Sequence, residues 1–114
     1  MTFTFESFEM RRRAIAFADV MFGVADTLPA RPQVSVREQL RRAALSIPIN
    51  LAKGCVCEDD QERSDFYHVA KSAVHEVVSL LMLSGNGGHL SQDIYRQHYE
   101  TADQIVAMIT DAMT

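Results

Sequence analysis

The chain has 114 residues, 47% of them hydrophobic, two cysteines and a formal net charge of −4. That length and composition predict one folded domain over residues 1–114 with a single modest core, and exclude a disordered chain. No apolar run approaches the roughly 20 residues of a membrane span, no signal-peptide-like apolar stretch opens the sequence, and Cys55 and Cys57 stand too close to staple distant elements, so a cytoplasmic protein with no membrane partner is expected.

Four helices are predicted in chain order, with no sustained strand-like alternation. The first runs from about Glu6 to Thr27. Its polar row is Arg12, Ala16, Asp19, Gly23 and Asp26, and its apolar rows are Ala14, Phe17, Met21, Val24 and Ile15, Ala18, Phe22, Ala25. The link "LPARPQV", with Pro29 and Pro32, ends it. The second starts near Ser35, whose spacing to Glu38 is that of a capping box, and reaches about Lys53, with Gly54 expected as a left-handed C-terminal cap. Asp59 or Asp60 is expected to cap the third helix, which runs to about Ser84. "GNGGH" is then a turn. Ser91 caps the fourth helix, about Gln92 to Ala112, whose row Ile94, His98, Ala102, Ile105, Ile109, Ala112 is expected to face the core. Four amphipathic helices with shortish links predict an all-α, up-down-up-down four-helix bundle.

The second helix is unusual in carrying two apolar faces. Leu40, Ala43, Ala44, Ile47 and Leu51 make one; Leu45, Ile49 and Ala52 make another, displaced around the helix. A bundle helix needs only one. In so small a domain the second face is expected to be covered by another copy, so Leu45, Ile49 and Ala52 are the predicted oligomer interface. Pro48 removes an amide donor and crowds the carbonyl of Ala44, at a cost of about 3 kcal/mol if uncompensated. Ser46 and Asn50 stand close enough to assist the freed backbone, and a helix broken here is the alternative. Gln39, Arg42, Ser46 and Asn50 form one polar row. On the third helix Glu76 interrupts the otherwise apolar row Val69, Ala73, Leu80. A carboxylate buried there needs partners. A structural polar cluster of Gln39, Arg42, Ser46, Pro48, Asn50 and Glu76 is therefore expected, fixing helix register.

Charge is unevenly placed. Residues 1–57 hold eight Lys/Arg against five Asp/Glu, a net +3, and residues 58–114 hold three against ten, a net −7. Such halves attract one another within a bundle or between subunits. The overall sign argues against generic affinity for nucleic acid, which depends on neutralising phosphates. The basic clusters are Arg11, Arg12, Arg13 and Arg37, Arg41, Arg42, the residues expected to touch a nucleic acid or acidic partner, without an evident base-stacking platform. Cys55-Val56-Cys57 supplies two thiols, fewer ligands than zinc commonly takes. His68, Ser72, His75 and Ser79 read as the polar side of the third helix. No phosphate loop, zincin, kinase or hydrolase motif occurs. No catalytic residue, metal or cofactor is expected.

"QLRRAALSIPINLAKG", with Gln39, Leu40, Arg41, Arg42, Ala43, Ser46, Ile47, Pro48, Asn50, Ala52 and Gly54, resembles the central block of the four-helix bundle family of proteins encoded in 23S rRNA intervening sequences. "FYHVAKSAVHE", with Ala70, Ser72 and Glu76, resembles its second block. Lys53 stands where that family usually has Glu, and "CVCEDD" replaces an often basic stretch. The family also takes in the accessory variability protein of diversity-generating retroelements. The resemblance implies a bundle that assembles as a homopentamer and a nucleic-acid or reverse-transcriptase partner. The expected function is thus non-enzymatic, oligomeric binding or scaffolding, with RNA, DNA or a nucleic-acid enzyme as the partner class. The alternative is a small metal- or thiol-dependent activity at the Cys-x-Cys loop.

Overall fold

The structure, a computed structural model, describes residues 4–29 and 35–114. Pro32, half of the expected proline link, lies outside the described residues. Four helices follow one another: α1 (Phe5–Asp26), α2 (Val36–Val56), α3 (Asp60–Asn86) and α4 (Gln92–Ala112). Each begins on a side-chain oxygen that accepts from the amide three residues on: Thr4 from Ser7, Ser35 from Glu38, Asp59 from Glu62 and Ser91 from Ile94. Each such cap is worth about 1 kcal/mol. An acidic residue sits in the first turn of every helix, where the positive end of the dipole favours it.

Helices consecutive in sequence pack together, and α4 returns to α1, closing the ring. Pairing fixes direction. Ser7 of α1 meets Cys55 at the far end of α2, and Asp26 of α1 meets Arg37 and Arg41 near its start, so α1 and α2 run antiparallel. Met10, Ala14, Phe17, Met21 and Ala25 line the core from α1; Leu40, Ala44, Ile47 and Leu51 from α2; Ala70, Val74, Val77 and Leu81 from α3. From α4 only Ala102, Ile105 and Ile109 are buried. The small residues on α1, α2 and α3 let the helix backbones approach closely, and the longer side chains fill the space between. The all-α four-helix bundle expected from the sequence is the fold observed.

Several expectations change at this level. Gly54 does not end α2. The helix continues to Val56, with the Cys57 amide donating to the Gly54 carbonyl. Gly54 is buried inside the last turns, where a methyl group would come within 2.6 Å of Tyr67 Cδ1. Its lack of a side chain serves packing, and the left-handed backbone appears instead at Gly88, φ 81°, in the α3–α4 turn. α2 also runs unbroken through Pro48. Ile15, on an expected apolar row, is exposed, because that row drifts away from the core stripe defined by Met10, Ala14, Phe17 and Met21. Ile94 and Ala112 lie on the core stripe of α4 but are exposed, since they fall at the two ends of the helix.

Candidate functional site

The second apolar face of α2 is bare in the single chain. Leu45 is 47% exposed, Ile49 42% and Val56 56%, and Ala52 between them is exposed as well. Their spacing of four, three and four residues makes one stripe, which continues back to Arg41. On α1, Phe8 and Ile15 are 56% and 60% exposed. They share the side of α1 that carries Asp26, the partner of Arg41. The antiparallel pairing therefore sets Ile15 level with Ile49 and Phe8 level with Val56. The result is one apolar strip across two helices, wider than the three residues the sequence singled out.

The six arginines do not gather into one basic patch. Arg12 and Arg13 both turn to Glu9, and Arg13 also reaches Gln104 of α4 at 3.5 Å. The Arg12 guanidinium holds the Glu9 carboxyl below its usual range, with Arg13 assisting, and Glu9 in turn raises Arg12. At the other end of α1, Arg37 and Arg41 share the Asp26 carboxylate, and Arg41 lies 5.9 Å from the centre of the Phe22 ring. Arg42 is exposed on a different side of α2. Arg11 is half-buried, close enough for its charge to act on Tyr67. Much of the positive charge is thus answered locally.

Of the expected polar cluster, the structure joins Ser46 and Asn50. Asn50 Nδ2 donates to the Ser46 carbonyl at 2.8 Å and to Ser46 Oγ at 3.0 Å, spanning the turn that contains Pro48. Gln39 lies half-buried on the same row. Glu76 is exposed, and no hydrogen bond or ion pair links it to Arg42 or Asn50 among the described residues. The physical reason is angular: Val69, Glu76 and Leu83 run along the edge of α3, beside the stripe of Ala70, Val74, Val77 and Leu81, and all three are exposed.

The two cysteines occupy different environments. Cys55 is buried in the last turn of α2, its Sγ 2.9 Å from Ser7 Oγ and 3.5 Å from the Tyr67 hydroxyl. Cys57 is half-buried at the helix cap, and its carbonyl accepts from Arg63. Burial pushes the Tyr67 hydroxyl above the usual tyrosine range, and its bond to Cys55 adds to this. No group of three or more His, Cys, Asp or Glu side chains among the described residues is placed to hold a metal ion.

The Cys55–Tyr67 pair forms part of the wall of a cavity of about 900 Å³ at this end of the bundle, bounded by the start of α1, the end of α2, the start of α3 and the end of α4. Nothing in the sequence announces it, because its lining comes from four short stretches that meet only once the ring of helices closes. On the α1–α4 seam, His98 is partly buried beside Arg12, Arg13 and Phe17, and loss of solvent lowers its pKa.

Fold and surface define a small helical-bundle protein with a bare apolar strip and no assembled catalytic constellation among the described residues. The family model of the 23S rRNA-intervening sequence proteins matches residues 6–111, and the chain belongs to that family. A solved structure of a protein of unknown function from the S23 ribosomal protein family of Bacteroides thetaiotaomicron superposes with a TM-score of 0.86, covering 95% of this chain and 97% of that one at 13% identity. At that identity the likeness is one of fold. No curated protein matches the sequence. No helix among the described residues is long and apolar enough to cross a membrane.

Proposed function

We propose that this chain is a non-enzymatic scaffold that self-associates, as a homopentamer, and presents its outer surface to a nucleic acid or a nucleic-acid-handling enzyme. The apolar strip of Phe8, Ile15, Leu45, Ile49 and Val56 is the observation that carries the reading. Large apolar side chains left exposed side by side are costly in water and typical of an interaction site. The family resemblance supports the number five and the partner class. Arg42, together with the outward parts of Arg12 and Arg41, is the contact to phosphate or acidic groups in this reading.

Light scattering on the size-exclusion peak tests the assembly. The expected mass is that of five chains, and Leu45→Glu with Ile49→Glu is expected to give a helical monomer by circular dichroism. A wild-type monomer at micromolar concentration overturns the proposal. Nucleic-acid binding, on this reading, is weak and falls steeply with salt, because few phosphates are neutralised by a protein that is acidic overall. Replacing Arg41 and Arg42 by Gln is expected to reduce it. Tight binding that ignores salt contradicts this part.

A further inference from the structure

The cavity lies at the end of the bundle where the α1–α2 strip finishes, but neither Phe8 nor Val56 lines it, and the assembly reading does not use it. We propose that it is a binding site for a small organic cation with a flat apolar body, of the arylalkylamine class. Its volume of about 900 Å³ lies within the range of small-molecule sites and far exceeds what a water or a bare metal ion needs.

Its inner wall is apolar and adaptable. Phe5, Met108 and Ala112 supply its accessible apolar surface, over a floor that includes the buried Met10 and Tyr67. Thioethers are polarisable and sit well against aromatic rings, so this wall suits a planar hydrocarbon. The rim is acidic. Glu6, Glu58 and Asp111 all border the cavity, all are exposed, and none forms an ion pair with a described residue. Two cations also stand near, Arg63 in the lining and the half-buried Arg11 close enough to act on Tyr67, so the acids outnumber the bases at this end and do not stand alone. Glu9 is answered by Arg12 and Arg13, and Arg63 turns to Asp60 and the Cys57 carbonyl.

Helix ends reinforce the sign. The C-terminus of α4 reaches the rim with no basic residue in its last turn, so its negative dipole end is uncompensated by side chains. The positive end of α3 is met by Asp60 and Glu62, and that of α1 by Glu6, so Glu58 and Asp111 are the rim acids left to face a ligand. A cation gains from this field relative to an anion of the same shape.

The test uses the full chain labelled at the methionine methyls, titrated with 2-phenylethylamine and separately with 3-phenylpropionate, a carboxylate of similar size. Saturable shifts of the Met10 and Met108 methyl signals by the amine are expected, with Met21 in the mid-core unmoved. The carboxylate is expected to bind roughly tenfold more weakly or not at all, tenfold being about 1.4 kcal/mol. Glu58→Gln with Asp111→Asn is expected to weaken the amine by a similar factor. Raising salt, which screens the rim without altering the fold, weakens it too. The proposal is overturned by an absence of saturable amine binding at about 10 mM, an affinity too weak to be a site. Equal binding of the two probes, or amine binding indifferent to both salt and the double substitution, overturns it equally.

Discussion

Tyr67 lies across Gly54 because only hydrogen occupies the space between α2 and α3 there. A methyl group placed at Gly54 meets the ring itself, so either the ring or a helix has to move. Alanine normally improves a helix interior by about 1 kcal/mol over glycine. Here overpacking wins, and Gly54→Ala is expected to destabilise by about 1–3 kcal/mol in chemical denaturation. Tyr67→Leu in the same chain should recover part of that loss by vacating the clash, though it also breaks the bond to Cys55. The Ser46–Asn50 pair is a second local device. Asn50→Leu should cost about 0.5–1.5 kcal/mol, the worth of a partly buried hydrogen bond. Its effect should be non-additive with Ser46→Ala and additive with Glu76→Gln, because only Ser46 shares its bonds. Additivity with Ser46→Ala would show that the pair does not act as a unit.

At the scale of the helix, caps and stripes decide most of what is seen. Ser91 before a clean amphipathic run made both ends of α4 readable from sequence, and Ser35 did the same for the start of α2. The end of α2 is not legible in the sequence, because a glycine near a helix end signals a stop unless its neighbour across the interface is known. Tyr67 is thirteen residues on and on another element. The exposure of Glu76 is hidden from the sequence for a related reason. Sequence period tells which residues share a row, but whether a row lies on the stripe or at its edge depends on the crossing of two helices. The cavity was illegible because no single helix contains it. His98 belongs to this scale, held where α1 and α4 meet. Burial disfavours its charged form, so its pKa in the folded chain lies below the ordinary value of 6.5. As pH falls below about 6.5 the unfolded chain takes up the proton first, and stability present above that value is lost through the window down to the folded pKa. The unfolding midpoint of the wild type should therefore drop between about pH 7 and 5 more than that of His98→Gln. Equal slopes would remove His98 from that response.

For the molecule as a whole, the ion pairs among the described residues stay within each half of the chain, Arg12 and Arg13 on Glu9 and Arg37 and Arg41 on Asp26 in the first and Arg63 on Asp60 in the second, so the unlike net charges of the two halves are not cancelled by direct pairing. What remains outside is acidic at the cavity end and apolar along α1 and α2. A surface so divided suits a subunit that turns one side toward its copies and keeps other sides for different contacts. If copies associate through the strip, the unfolding midpoint rises with protein concentration, because binding to the folded state alone stabilises it by mass action.

The modest hold on α4 has a kinetic consequence. Three of the four helix pairings join neighbours in the chain, so α1, α2 and α3 can zip together through short loops, a topology that folds fast. The contact between α1 and α4 is the one that spans the chain, and α4 brings only Ala102, Ile105 and Ile109 to the shared interior. It is the natural last piece to dock and the first to lift away. In native-state hydrogen exchange the amides of α4 should open through a cheaper, sub-global event while those of α2 and α3 wait for complete unfolding. Ile105→Ala should lower that opening energy for α4 amides before it speeds exchange in α2, and uniform acceleration of all four helices would mean that the bundle opens only as one.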